Sequence, residues 1–268
     1  MTFLQHLEEL RWHIVRSVLA ILLAAIALFV FKDFVFGQVI LSPTKPDFAT
    51  YKFLCWFSNQ LGMGDKLCIG SIPLTLLNTE MVGQFLAHIR ISLSLGLVLA
   101  SPYVFWEVWR FVRPALYANE MKHTRGFVLI TTLLFLVGVL FSYFVIVPFS
   151  VTFLGTYQVD PAVSNQIRLS SYVQFLTMLC FAGGIIFQLP IATWLLSKIG
   201  VVTPQFMKKY RKHSLIAILI ASAVITPPDV FSQILLAVPI YGLYEISIGI
   251  SKRVHRKREE NLAADTAP

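Results

Sequence analysis

The side chains able to do chemistry in this chain are few, and the notable acids stand among basic and aromatic neighbours. Only 14 of the 268 residues are Asp or Glu, against 22 Lys and Arg. At 100° per residue, a helix over Phe3 to Arg16 places His6, Glu9, His13 and Arg16 on one polar stripe. Phe3, Leu7, Leu10 and Ile14 form an apolar stripe, and Glu8 points elsewhere. Glu9 there has two readings: a solvated face of an interfacial helix, or a carboxylate presented to a cationic partner. Glu120 lies among Lys122, His123 and Arg125. It reads as a salt-bridge partner or a helix N-terminal acid. The segment before it, from Trp106 through Glu107, Trp109, Arg110 and Phe111 to Tyr117, is too apolar and aromatic for a solvated connection. It is expected to form part of a packed surface.

Three further polar groups fall inside apolar runs: His88, Arg90 and Gln188. Such groups face a partner, a cavity or a water-filled groove, although Arg90 can also snorkel to an interface. Pro190 frees a backbone carbonyl one turn back, which Gln188 could satisfy, or Gln188 could line a groove. Asp229, after Thr226-Pro227-Pro228, is placed to cap the helix that follows. Cys55 and Cys68 share one loop and are either bridged or free thiols; Cys180 reads as a packing residue. No metal-ligand spacing and no Gly-x-Ser nucleophile setting is evident, so neither a cofactor nor an enzymatic activity is expected.

The elements that position these groups follow from composition. The chain is 56% hydrophobic and 13% charged, with mean hydropathy +0.71. Soluble domains carry about twice that share of charge, and disorder is excluded more firmly still. Apolar segments at about 14–36, 82–106, 127–149, 172–196, 213–227 and 230–250 predict an all-α integral membrane protein with six transmembrane helices. The fifth and sixth are expected to be short, joined by a Pro-Pro turn. The fifth would cross only by thinning the bilayer. With an N-terminus inside, 16 Lys and Arg fall inside and 5 outside, with Arg90 within the second span. The positive-inside rule then gives N-in/C-in. Residues 37–78 form an extracytoplasmic cap loop rich in Phe, Tyr and Trp, and 251–268 a charged cytoplasmic tail, perhaps solvated or lipid-facing, without order after about Asn261. Prolines at 102, 148, 190 and 239 suggest kinks and a curved, concave bundle. The net charge of +8 points to topology and anionic lipid rather than nucleic acid.

Four segments together resemble the TatC family, the multispanning receptor subunit of the twin-arginine protein translocase. His6-Leu7-Glu8-Glu9-Leu10-Arg11 is similar to the family's H-L-x-E-L-R. Ser101-Pro102 through Arg110-Phe111 to Pro114-Ala115-Leu116-Tyr117 and Glu120 resembles its first cytoplasmic loop. Phe187-Gln188-Leu189-Pro190 and Thr226-Pro227-Pro228-Asp229 resemble its F-E-x-P and T-P-x-D. The resemblance covers about residues 1–250, a single six-span membrane domain. It implies that Glu9 and Glu120 contact Arg-Arg signal peptides of folded cargo, with His6, Arg11, Trp106 and Phe111 beside them. It also implies single-span TatA- and TatB-like partners, an oligomeric complex, export driven by the proton-motive force, and no enzyme activity. A guanidinium fork fits a carboxylate bidentately where an ammonium does not. Gln188 stands where the family often has Glu, which argues against obligatory proton carriage there. His13 stands where a second basic residue is usual. The Cys55/Cys68 pair is not carried over from the family.

The principal rival is a secondary transporter or channel with a site around Arg90, His88 and Gln188. No inverted repeat and no mid-span acid supports it. The first apolar run reads as a retained span rather than a cleaved signal. The expected location is a bacterial inner (plasma) membrane.

Overall fold

A computed structural model of the chain describes residues 3–62, 64, 68, 75–112, 124–160, 165–226 and 229–265, with backbone alone at 3–6, 124–125, 257–259 and 261–265. Helices dominate. The first, α1, runs unbroken over Phe3–Val30. The amphipathic stretch and the first span are therefore one element, because neither Gly nor Pro interrupts them. A π-helical stretch at Val35–Ile40 and a 3-10 turn at Ser42–Thr44 lead to α2, Ala49–Gln60. Strand β1, Thr75–Leu77, precedes α3, Gly83–Val112. Next come α4, Thr124–Phe141, a π-helical turn at Ser142–Ile146, and α5, Val147–Thr156. Strand β2, Gln166–Arg168, leads into α6, Leu169–Ile186, and α7, Leu189–Lys198. The last helices are α8, Pro204–Lys209, α9, Arg211–Ile225, and α10, Val230–Asp265.

Five stretches are long and apolar enough to cross a membrane among the described residues: Leu7–Val30, Gly83–Val112, Gly126–Thr156, Leu169–Lys198 and Val230–Arg256. The chain is an integral membrane protein. The many exposed apolar side chains, such as Leu23, Ile26 and Val224, are those a bilayer would cover.

Several expected boundaries move. The second span does not end at Trp106: α3 continues to Val112, because the first helix breaker is Pro114, which disfavours helix only at the residue before it. The sixth helix is not short. It runs 36 residues, from Val230 to Asp265, because Pro239 is tolerated and the tail is built from strong helix formers with an Arg256–Glu260 pair one turn apart. Order therefore extends past Asn261. The fourth span is two helices, broken at Phe187–Gln188, with Pro190 in the first turn of α7. Pro148 sits just after the π-helical turn, a known adjustment to a missing N–H.

The chain divides into two compact units, Met1–Leu136 with Leu154–Met178, and Val137–Phe153 with Leu179–Pro268. In the first, α1 packs along α3. A Cβ added at Gly96 would lie 2.8 Å from the backbone nitrogen of Ala25, the close approach that small residues permit between membrane helices. The cap loop is only partly a cap. Phe48 and Tyr51 are buried, and the Tyr51 hydroxyl donates to Pro43 O at 2.8 Å. Phe53, Trp56 and Phe57 stay exposed, on the other side of α2. The Tyr172 hydroxyl donates to Ile40 O at 2.7 Å, and β1 pairs with β2 in parallel, Thr75 opposite Gln166. Cys55 and Cys68 are joined by a disulfide, with Cα atoms 4.4 Å apart.

In the second unit, Gly138 of α4 meets Gly183 of α6. A Cβ on Gly183 would collide with Ser142 Oγ and with Gly138 O. Helix α10 is tied to α7 by Ser197 Oγ to Ser251 Oγ at 2.8 Å. Gln233 Nε2 donates to Leu219 O of α9 at 3.1 Å, and the Tyr244 hydroxyl donates to Met207 O of α8 at 2.8 Å.

Candidate functional site

The polar stripe of α1 is where the first unit concentrates charge. Glu9 is partly accessible. One turn later His13 turns to α3, and its Nδ1 donates to Glu107 Oε2 at 2.5 Å. The two residues are 94 positions apart in sequence, so this bond clips the α1 N-terminal half onto the α3 C-terminal end. Glu107 is 1% exposed. A carboxylate buried so deeply stays charged only with partners, and it has three. Besides His13, the Tyr103 side chain one turn earlier hydrogen-bonds to it, and Arg110 Nη1 lies 3.6 Å from Oε1. Arg16 adds a further positive charge near Tyr103.

One aromatic ring lies against this cluster, and two more stand on the same helix end. Phe111 stands edge-on to His13, centroids 6.2 Å apart. Trp106 is half-buried. Trp109 is buried, with its ring 3.8 Å from that of Phe127 at the start of α4. The result is a buried carboxylate already satisfied by partners, with a more accessible one at Glu9. Glu107 joins two helices, and Glu9, one turn before His13, is the more accessible of the two acids.

His13 stood on the expected polar stripe, but neither Glu107 nor its pairing with His13 was singled out by sequence reasoning. The signal was present: Tyr103, Glu107 and Arg110 have i, i+4 and i, i+3 spacing. It becomes readable only if the helix is carried past Trp106. Of the remaining expected site residues, Glu120 and Pro227 lie outside the described residues, as does the His6 side chain. Arg11 is exposed, with its guanidinium 5.8 Å from the Trp12 ring centre.

The other polar candidates do not gather at this cluster. Arg90 is exposed and reaches Gln174 Oε1 at 3.4 Å. His88 stacks on Phe29, centroids 3.9 Å apart. In the second unit Gln188 is half-buried at the break between α6 and α7, next to buried Pro190. Asp229 is buried, and its Oδ2 accepts from the Ser232 amide at 2.6 Å, a cap on α10. Cys180 is a buried free thiol in α6. No cluster of three or more metal-ligating side chains occurs among the described residues.

Comparison with known proteins agrees with this architecture. The family model described as Sec-independent protein translocase protein (TatC) matches residues 5–239. The Sec-independent protein translocase protein TatC of Blattabacterium sp. subsp. Periplaneta americana (strain BPLAN) is 36% identical over 263 residues, covering 96% of this chain and 97% of that one. The TatCy protein of Bacillus subtilis (strain 168) is 33% identical over 265 residues, covering 99% and 94%. Two crystal structures described as the twin arginine translocase receptor TatC are similar at 30% identity. One covers 92% of this chain and 99% of its own with TM-score 0.71, the other 93% and 99% with TM-score 0.66.

Proposed function

Since this chain belongs to the TatC family of Sec-independent protein translocase proteins, we propose that it is the receptor that binds Arg-Arg signal peptides of folded cargo. The observation carrying this reading is the partly accessible Glu9 one helical turn from His13, whose ring is fixed by buried Glu107. A receptor for a guanidinium needs an outward carboxylate whose backbone does not drift. The His13–Glu107 clip supplies the rigidity, and Glu9 supplies the acceptor. Phe111 packs edge-on against His13, one turn from Glu9, and apolar surface near an ion pair strengthens it. Glu120 is the second carboxylate, assigned by its place in the family motif. Being already satisfied by three partners, Glu107 is a positioning residue rather than an acceptor.

The rest of the proposal follows from family membership. The protein is a translocase component and not an enzyme. It sits in a bacterial inner membrane with both termini cytoplasmic, crosses six times, and assembles with TatA- and TatB-like single-span subunits into an oligomer powered by the proton-motive force. The transporter reading gains nothing from Arg90, which is exposed and bonded to Gln174.

The test is binding of an Arg-Arg signal peptide and its Lys-Lys version to the purified protein in detergent, with Glu9→Gln and Glu120→Gln alongside. The wild type is expected to prefer Arg-Arg by about tenfold, near 1.4 kcal/mol, and each variant to lose that preference. Equal binding of both peptides by the wild type would overturn carboxylate recognition.

A further inference from the structure

At the end of α1 remote from Glu9, the first unit holds a cavity of about 360 Å³ lined by Lys32, Asp33, Phe36, Gln84, Phe85 and His88, with Leu169 at its edge. Its chemistry is mixed in a specific way. Lys32 and Asp33 are both exposed, adjacent in sequence and of opposite charge, yet they form no ion pair with each other. Among the described residues, neither has a side-chain hydrogen bond or ion-pair partner, nor has Gln84. His88 Nε2 is closed off from solvent and has no hydrogen-bond partner. Its ring is held between the face of Phe29 and the edge of Phe36, centroids 3.9 and 5.5 Å away. So four polar residues line one cavity, and three of them, Lys32, Asp33 and Gln84, make no side-chain hydrogen bond or ion pair among the described residues.

Depth decides what could use them. The apolar stretch of α1 ends at Val30, and Lys32 and Asp33 come immediately after it. Twenty-four residues at 1.5 Å rise carry α1 about 36 Å, past a hydrocarbon core of about 30 Å. The cavity therefore opens at the level of lipid headgroups. Phe85 in its lining, and Phe31, Phe34 and Val82 within two residues of lining residues in sequence, are more than half exposed and apolar, side chains suited to acyl chains.

We propose that this cavity binds a phospholipid with a zwitterionic, primary-ammonium headgroup, of the phosphatidylethanolamine class. Lys32 meets the phosphate, as a point charge reaching up from an apolar stem. Asp33 accepts from the ammonium, and Gln84 donates to the phosphate, with the packed His88 ring forming the floor beside them. An anionic lipid would satisfy Lys32 but leave Asp33 facing a like charge, so the acid is the discriminating group. A soluble phosphoethanolamine carries the same two charges. The apolar side chains and the depth favour the lipid.

Native mass spectrometry of the full chain released from detergent tests this. Phosphatidylethanolamine and phosphatidylglycerol of identical chains are added in equal amounts, with phosphoethanolamine in a separate arm. The expected result is saturable retention of one phosphatidylethanolamine, at least fivefold over phosphatidylglycerol. Asp33→Asn should bring that ratio to about one, and Lys32→Gln should weaken retention of both lipids. Both sites are exposed, so neither variant threatens folding, and unchanged thermal midpoints would document that. Equal retention of the two lipids by the wild type, or a ratio untouched by Asp33→Asn, overturns the proposal. Retention of phosphoethanolamine without the lipid overturns the lipid assignment. None of these outcomes bears on signal-peptide binding, which uses the opposite end of α1.

Discussion

Removing either half of the His13–Glu107 pair leaves the other buried without its main partner. Breaking a buried pair in this way costs about 3–5 kcal/mol, whereas replacing both halves costs less. Glu107→Leu and His13→Leu are each expected to lower the thermal midpoint in detergent strongly. The double variant should lose less than the sum of the two, the non-additivity typical of residues in contact. Strict additivity would mean that the pair does not couple α1 to α3. Glu107→Gln keeps size and hydrogen bonding and loses the charge. Its peptide signature separates positioning from contact: Arg-Arg and Lys-Lys peptides should weaken together, on the order of threefold, with the preference between them kept. Loss of the preference itself would make Glu107 an acceptor. At Asp229 the carboxylate caps α10 through the Ser232 amide. Asp229→Ala is expected to cost about 1 kcal/mol and Asp229→Asn little, since Asn caps equally well; parallel melts of the two variants would check this.

Between elements, the sharpest constraint is the meeting of α1 and α3 at Ala25 and Gly96. In an exposed helix, Gly→Ala would stabilise by about 0.8–1 kcal/mol through propensity. Here the new Cβ would lie 2.8 Å from a backbone nitrogen, and backbone cannot move aside as a flexible side chain can. Overpacking costs about 1–3 kcal/mol, so Gly96→Ala should destabilise on balance and Gly96→Val more so. A raised midpoint for Gly96→Ala would show that the helices are not in close contact. This contact was not legible in the sequence, because a lone Gly in an apolar helix looks the same whether it faces lipid or another helix. What was legible follows from local chemistry. Apolar runs gave the long helices, and the 100° periodicity of Phe3 to Arg16 put Glu9 and His13 on one stripe of α1. The end of α3 was missed because aromatic density resembled a packed loop, although only Pro114 could stop the helix. The extent of α10 was missed because its charged tail was read as solvated chain rather than as a run of helix formers. Glu107 was missed with the end of α3, since its partners are brought to it by those two extra turns and by α1.

For the whole molecule, the deciding element is α9. Its 15 residues, Arg211–Ile225, span about 22 Å, some 8 Å short of a typical hydrocarbon core. Mismatch costs fractions of a kcal/mol per Å, so a crossing costs a few kcal/mol at most. The alternative is worse for topology. If α9 does not cross, the tail residues Lys252, Arg253, Arg256, Lys257 and Arg258 move to the opposite side, and a basic distribution of 16:5 becomes 11:10. The positive-inside bias would vanish. Cysteine accessibility distinguishes the two arrangements. A cysteine at Asn78, in the cap loop, and one at Val230, exposed at the start of α10, should both react with an impermeant thiol reagent in intact cells. A cysteine at Lys209 should react only after permeabilisation. The Cys55–Cys68 disulfide keeps the native thiols of the cap loop out of the assay, and Cys180 is buried. If Val230 instead behaves like Lys209, α9 returns to the side it came from, the chain crosses five times, and the orientation of the tail reverses.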